Sequence, residues 1–341
     1  MANKHAAIAP VIFGCSGLKL TSDEQAFFRE ANPLGFILFA RNCDTPEQVK
    51  SLVLSLRDCI ARVEAPVLID QEGGRVARLT PPHWRAAPAP AVFAECAKQS
   101  TEKAVAAAKL NAQMMATELR ALDITVDCTP VLDLPQPDAD PIIGDRALGD
   151  DPAMIALLGR AVCEGMIAGG VLPVIKHLPG HGRATADSHK ALPVVDTPHD
   201  ELSATDFAPF HALRDMPWAM TAHVLYSKLD SSGPATTSKK VIGDIIRGEI
   251  GFQGVLLSDD LSMQALTGDM HERAAASLNA GCDIVLHCNG ELAEMEAVMT
   301  ACGTLSSDTQ RRLEQAESHR GDIQTIDLQE AEAKLNRLMD N

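Results

Sequence analysis

A single (β/α)8 barrel of the α/β class is the fold this sequence predicts, on three observations. Eight short apolar runs rich in β-branched residues recur along it. They are continuous rather than alternating, which suits strands covered on both faces, as in a parallel sheet. Helix-like segments separate most of them, and eight such alternations favour closure into a barrel over an open sheet. A chain of 341 residues has room for two ordinary domains or one large barrel. No linker composition divides it, so residues 1–341 are expected to form one catalytic barrel domain, with 303–341 as peripheral C-terminal helices on its outside.

Residues 9–14 and 35–40 are the first two expected strands. Thr45-Pro46-Glu47-Gln48 then combines an N-cap, a proline at the first helical position and a capping-box glutamine, ahead of Val49, Leu52 and Leu56. The third run is 66–70. Residues 81–98, with Pro81, Pro82, Pro88 and Pro90, read as a long irregular excursion, and about 99–122, rich in Ala, Leu, Met, Glu and Lys, as a long helix. After the fourth run, 124–128, Asp151-Pro152 opens a helix that continues through Ala168 and stops at Gly169-Gly170. The runs 172–175, 218–222, 254–258 and 283–287 complete the set. No Gly-x-Gly-x-x-Gly turn follows the first strand, which weakens a dinucleotide-binding alternative.

The formal charge of −16 argues against nucleic acid or an anionic membrane as a partner and leaves a small molecule as the expected one. One Tyr and two Trp give no long aromatic platform for a polymeric sugar. Nine scattered cysteines without a Cys-x-x-Cys pair read as free thiols in a reducing compartment. No apolar run approaches the ~20 residues of a membrane helix, and the first ten residues have no long hydrophobic region of a secretion signal. A cytoplasmic protein is expected.

Polar residues end most of the apolar runs. Asp70, Asp133, Lys176-His177, His223, Asp259-Asp260 and His287 follow six of the eight, and catalytic groups of such barrels come from the carboxyl ends of several strands. Together they predict a ring around a pocket. The densest stretch is 176–189, with a lysine, three histidines and an aspartate on a glycine-bearing loop. In Ser258-Asp259-Asp260 one carboxylate is expected to cap a following helix and the other to face the pocket. A pocket carboxylate opposite a proton donor is the arrangement for glycoside cleavage through a covalent intermediate.

Asp187 and His189, at i and i+2 of an extended loop, project to one side, so the carboxylate can orient an imidazole that gives and takes a proton near neutrality. Ser188 then points the other way, and no Gly-x-Ser-x-Gly elbow supports a serine hydrolase. His177, His181 and His189 match no zinc spacing, and Lys176 would repel the ion, so no metal and no cofactor are expected. Gly180 and Gly182 are read as points where the loop bends and moves. Asp70 is read as an acceptor for sugar hydroxyls, Glu72 as a solvated charge on a surface turn, and Arg146 as a further candidate binder.

These motifs in order resemble the bacterial β-N-acetylglucosaminidases of glycoside hydrolase family 3, the NagZ type. The resemblance rests on Ile69-Asp70-Gln71-Glu72-Gly73-Gly74-Arg75-Val76, Pro130-Val131-Leu132-Asp133-Leu134 and Gly144-Asp145-Arg146-Ala147-Leu148-Gly149. Lys176-His177-Leu178-Pro179-Gly180-His181-Gly182, Asp187-Ser188-His189 and Ser258-Asp259-Asp260-Leu261-Ser262-Met263 complete it. It implies Asp259 as nucleophile, His189 as acid/base with Asp187 as its partner, and Asp70, Arg78, Arg146, Lys176 and His177 as holders of N-acetylglucosamine. It further implies a single-domain barrel without metal and a cytoplasmic role in peptidoglycan recycling. The implied substrate is N-acetylglucosaminyl-1,6-anhydro-muramic acid, with or without peptide. Two alternatives stay open: phosphorolysis, since an imidazole is neutral after donating its proton and repels an incoming anion less, and a sugar-binding barrel without turnover.

Overall fold

The computed structural model describes residues 7–340. Eight of its ten strands form a closed parallel barrel: β1 (Ala9–Phe13), β2 (Pro33–Leu38), β3 (Val67–Ile69), β4 (Val126–Asp127), β5 (Leu172–Leu178), β7 (Trp218–Thr221), β9 (Val255–Asp260) and β10 (Ile284–His287). Each expected run supplies one of them. The other two, β6 (Val194–Val195) and β8 (Leu225–Tyr226), pair with each other outside the barrel. They are too short and too mixed to be visible as apolar runs.

Alternate residues of each strand face opposite sides of the sheet, and the packing divides accordingly. Ile12, Ile37, Leu68, Leu172, Val174, Met220, Leu257 and Leu286 fill the barrel interior. Their neighbours Val11, Phe13, Phe36, Ile69, Ile175, Leu256 and Val285 pack outward under the helices. Both faces are apolar because both are covered, which is why the sequence shows runs and not alternation. Each such aliphatic residue, fully buried, contributes about 1.5–3 kcal/mol.

Helix signals translate closely. Thr45 caps Pro46–Cys59 by accepting from the Gln48 amide at 3.2 Å, but the Gln48 side chain accepts from Asp44 N instead of closing the expected capping box. Thr101–Ala121 is capped by Ser100, and Pro152–Ala168 by Asp151. The excursion at 81–98 is partly ordered: Pro90, at the first position, starts a helix to Ala97. The helix expected directly after Asp260 begins only at Met270, where Asp269 and Glu272 form a full capping box.

The C-terminal segment divides. Leu328–Met339 packs against Thr101–Ala121 on the outside, burying Ala331 and Leu335. Ser307–Glu317 instead closes the amino-terminal mouth of the barrel, with Leu305 and Ala316 joining the interior cluster beside Ile8 and Leu34. Arg312 pairs with Asp283 at 2.6 Å, and Arg320 donates to the carbonyls of Thr125 and Gly170, tying this segment to the strand starts. No described helix is long and apolar enough to cross a membrane.

Candidate active site

Continuing the strand alternation past the last apolar residue puts Asp70, Lys176 and Asp259 on the inward face, two residues beyond Leu68, Val174 and Leu257 respectively. All three line one cavity of about 200 Å³ at the carboxyl end of the barrel, with Arg78, Arg146, His177, His181, Ser188 and His189. The residues implied as catalytic or sugar-binding therefore all reach this cavity except Asp187, which is hydrogen-bonded to His189.

The wider ring does not form as expected. His287 takes the outward position after Leu286, packs edge-on to Phe13 and hydrogen-bonds Glu294 at 2.9 Å. His223 is buried between strands, with Nε2–H donating to the Asp260 carbonyl at 3.0 Å and Nδ1 on Thr236 Oγ1 at 2.7 Å. Asp133 is fully buried behind the wall. Its Oδ1 accepts the amides of His177 (3.2 Å) and His181 (2.6 Å), and its Oδ2 accepts His177 Nδ1–H at 2.7 Å. Asp133 and His223 are hydrogen-bonded to residues of the site without facing it, whereas His287 lies on the outer face of the barrel.

The wall formed by Asp70, Glu72, Arg78, Arg146 and Lys176 is an interlocked charge cluster. Lys176 Nζ lies 2.9 Å from Asp70 Oδ1 and 2.7 Å from Glu72 Oε1. Arg78 binds the other Asp70 oxygen at 2.9 Å, and Arg146 grips Glu72 with Nε and Nη2 at 2.8 and 2.9 Å. Glu72 is thus no solvated turn residue: its side chain is 1 % exposed. Burial by itself would raise the Asp70 and Glu72 carboxyls. Lys176 with Arg78, and Lys176 with Arg146, outweigh it and hold both below their ordinary values. Burial works against the Lys176 ammonium as well, and Asp70 and Glu72 raise it above its ordinary value.

Asp259 and Asp260 divide as expected into a cavity-facing carboxylate and a capping one, but what is capped differs. Both belong to β9, and Asp260 pairs in register with Leu286 of β10. Asp260 caps a turn, not a helix: Oδ1 accepts from Ser262 N and Cys288 N at 3.0 and 3.1 Å, and Oδ2 from the Ser262 hydroxyl at 2.5 Å. Among the described residues, Asp259 Oδ1 accepts only the Asp260 amide, at 2.8 Å. Burial would raise the Asp259 carboxyl, but His223, His177, the Asp260 amide and His189 bring it below its ordinary value, so it is ionised at neutral pH.

The loop after β5 has a rigid root and an exposed tip. Gly180 adopts φ +141°, and a Cβ on Gly182 would stand 1.9 Å from the Leu134 carbonyl oxygen. Gly182 is therefore required by close backbone contact, and not for bending as expected. Arg183 fixes the root further, through Asp206 at 2.7 Å. At the tip, His189 donates Nδ1–H and its amide to Asp187 Oδ1 at 2.8 and 2.9 Å. Partial burial opposes ionisation of Asp187, yet the His189 amide and imidazole and Lys190 hold it down to about 2. With Nδ1 bound, Nε2 is the ring nitrogen free to transfer a proton. The loop expected to be extended here is a turn, with the Asp187 carbonyl accepting the Lys190 and Ala191 amides at 2.9 and 3.1 Å, and Ser188 Oγ hydrogen-bonds His181 Nε2 at 3.1 Å.

Among the described residues no three His, Cys, Asp or Glu side chains gather as a metal site. Residues the sequence reading did not nominate also line the cavity: Phe39, Ile142, Ile143, Met220 and Met263. Phe39 and Met220 were findable, since they lie on the inward parity of β2 and β7.

Residues 9–319 match the glycosyl hydrolase family 3 N-terminal domain. A β-hexosaminidase from Bordetella avium is 38% identical over 286 residues, covering 82% of this chain and 80% of its own. One from Methylobacillus flagellatus is 39% identical over 289 residues, covering 83% and 81%. Native NagZ from Neisseria gonorrhoeae superposes with a TM-score of 0.87 at 34% identity, covering 99% of both chains. The same enzyme in complex with N-trifluoroacetyl-D-glucosamine also gives 0.87, at 34% identity over 98% and 99%. The chain belongs to glycosyl hydrolase family 3, on its β-hexosaminidase branch, and is a glycoside hydrolase.

Proposed function

We propose that this protein is a retaining exo-β-N-acetylglucosaminidase, with Asp259 as nucleophile and the Asp187–His189 pair as acid/base. The observation that carries the reading is the shared cavity: an ionised carboxylate at the inner end of β9 and an imidazole whose Nδ1 is held by a carboxylate line the same small space. In the first step Asp259 attacks the anomeric carbon while His189 Nε2–H protonates the departing oxygen and the glycosidic C–O bond breaks. In the second, neutral His189 takes a proton from water as that water attacks the same carbon, and the carboxylate of Asp259 leaves. Two inversions give net retention.

Asp70, Arg78, Arg146, Lys176 and His177 form the wall that holds the N-acetylglucosamine. Asp70 is charged and oriented by two cations, which suits it to accept hydroxyl donors. A space of about 200 Å³ is below the ~300–1,000 Å³ of pockets for drug-sized ligands. It admits one sugar ring and leaves the rest of the substrate outside, which favours removal of terminal residues. The N-trifluoroacetyl-D-glucosamine complex of the Neisseria gonorrhoeae relative supports an N-acylated glucosamine in this position.

By the motif resemblance, the physiological substrate is N-acetylglucosaminyl-1,6-anhydro-muramic acid, with or without peptide, in cytoplasmic cell-wall recycling. The test is turnover of that disaccharide with and without phosphate, with proton NMR of the first-formed anomer. Free β-N-acetylglucosamine at a phosphate-independent rate is expected. An α-anomer would overturn retention, a sugar 1-phosphate would make the enzyme a phosphorylase, and binding without turnover would leave a sugar-binding barrel.

A further inference from the structure

We propose that Ser188 is a positioning residue: its hydroxyl, bonded to the buried His181, is the tie that sets the Asp187–His189 pair against the barrel. The proposal rests on His189 being the acid/base. Asp187 and His189 fix each other's geometry, but their hydrogen bonds are confined to residues 187–191. The His189 side chain is 64% exposed and that of neighbouring Lys190 81% exposed, so neither anchors the tip.

Among the described residues, the tripeptide is hydrogen-bonded to the rest of the protein through Ser188 alone. Its Oγ lies 3.1 Å from His181 Nε2, and its carbonyl accepts the Ala265 amide at 3.2 Å. Ser188 and His181 are 3% and 4% exposed. His181 is itself immobilised, because Asp133 accepts its amide at 2.6 Å and also holds His177. One buried carboxylate therefore references both the sugar-holding imidazole and the latch under the proton-transfer imidazole. Residues 187–191 form a turn, with the Asp187 carbonyl accepting the amides of Lys190 and Ala191 at 2.9 and 3.1 Å, so Asp187, Ser188 and His189 move as one unit. Ser188 and His189 both line the cavity, and removing the buried tie under Ser188 frees the turn that carries the pair to leave its position there.

The test is kcat/KM, which reports the first, glycosylating step, on aryl N-acetyl-β-glucosaminides of graded leaving-group ability. Ser188→Ala should lose roughly 3- to 10-fold on poor leaving groups, the weight of one neutral hydrogen bond, and little on the best ones, which need no proton. Ser188→Thr should restore activity and the isosteric Ser188→Val should not, a contrast that survives even where Ser188→Ala folds poorly. A loss equal across leaving groups, no loss, or Thr behaving as Val would overturn the latch. His189→Ala is measured in parallel. Steep dependence there with a flat response in Ser188→Ala removes the latch alone, whereas flat responses in both remove the acid/base reading and the latch with it.

Discussion

Asp133 holds His177 at two points, accepting its amide at 3.2 Å and its Nδ1–H at 2.7 Å, so the ring can neither rotate nor change tautomer. Asp133→Asn should break this arrangement, because an amide nitrogen facing Nδ1 cannot accept. The expected result is a loss of kcat/KM on the order of 10–100-fold, by analogy with supports of metal-bound histidines, together with a lower urea midpoint. Unchanged kinetics would mean that His177 does not need its tautomer fixed.

Asp259→Asn should abolish turnover, by on the order of 10³-fold or more, on an aryl N-acetyl-β-glucosaminide. Its thermal midpoint should fall only slightly, because His223, His177, the Asp260 amide and His189 favour the charged carboxyl somewhat more than burial disfavours it. Activity near the wild-type level would remove Asp259 from the mechanism.

Glu72 carries a prediction about stability. Glu72→Ala leaves Lys176 and Arg146 facing each other without a shared counter-charge, and a broken buried pair costs about 3–5 kcal/mol. Chemical denaturation at neutral pH measures it. A change below about 1 kcal/mol, the range of exposed pairs, would contradict the burial seen here.

His181 gives stability a pH dependence of definite sign. Desolvation, partly opposed by Asp133 and Asp259 and reinforced by His177, pushes its imidazole from 6.5 down to about 4. The unfolded chain thus takes up a proton in a window where the folded one does not. The contribution is complete above pH 6.5, falls as pH drops toward 4, and amounts to roughly 3 kcal/mol across that window. In His181→Gln the slope of denaturation midpoint against pH between 4 and 6.5 should flatten. An unchanged slope would assign the acid sensitivity elsewhere.

The barrel was readable because its strands are apolar on both faces, and all eight runs correspond to strands. What was harder to read was which way each strand-end residue turns. His287 and Asp259 both end apolar runs, yet one faces the helices and the other the cavity, a difference of one residue in the pleat. Counting parity from Leu257 and Leu286 would have separated them. Asp260 resembled a helix cap because a serine and an aspartate precede a helix-like segment, but register with Leu286 extends the strand through it. Glu72 could not have been placed from local sequence at all. Its burial depends on Lys176 and Arg146, 104 and 74 residues further along the chain, and only the closed barrel brings them together.

The helix Ser307–Glu317, seated under the strand starts, makes the cavity a dead end. With the interior filled by Leu68, Val174, Leu257 and their neighbours, nothing passes through the barrel, and one doorway serves all traffic. In the proposed two-step reaction the departing group must clear that doorway before water reaches the glycosyl-enzyme, and the freed sugar must leave by the route its successor takes. Product and substrate therefore queue at a common entrance, and N-acetylglucosamine should inhibit competitively.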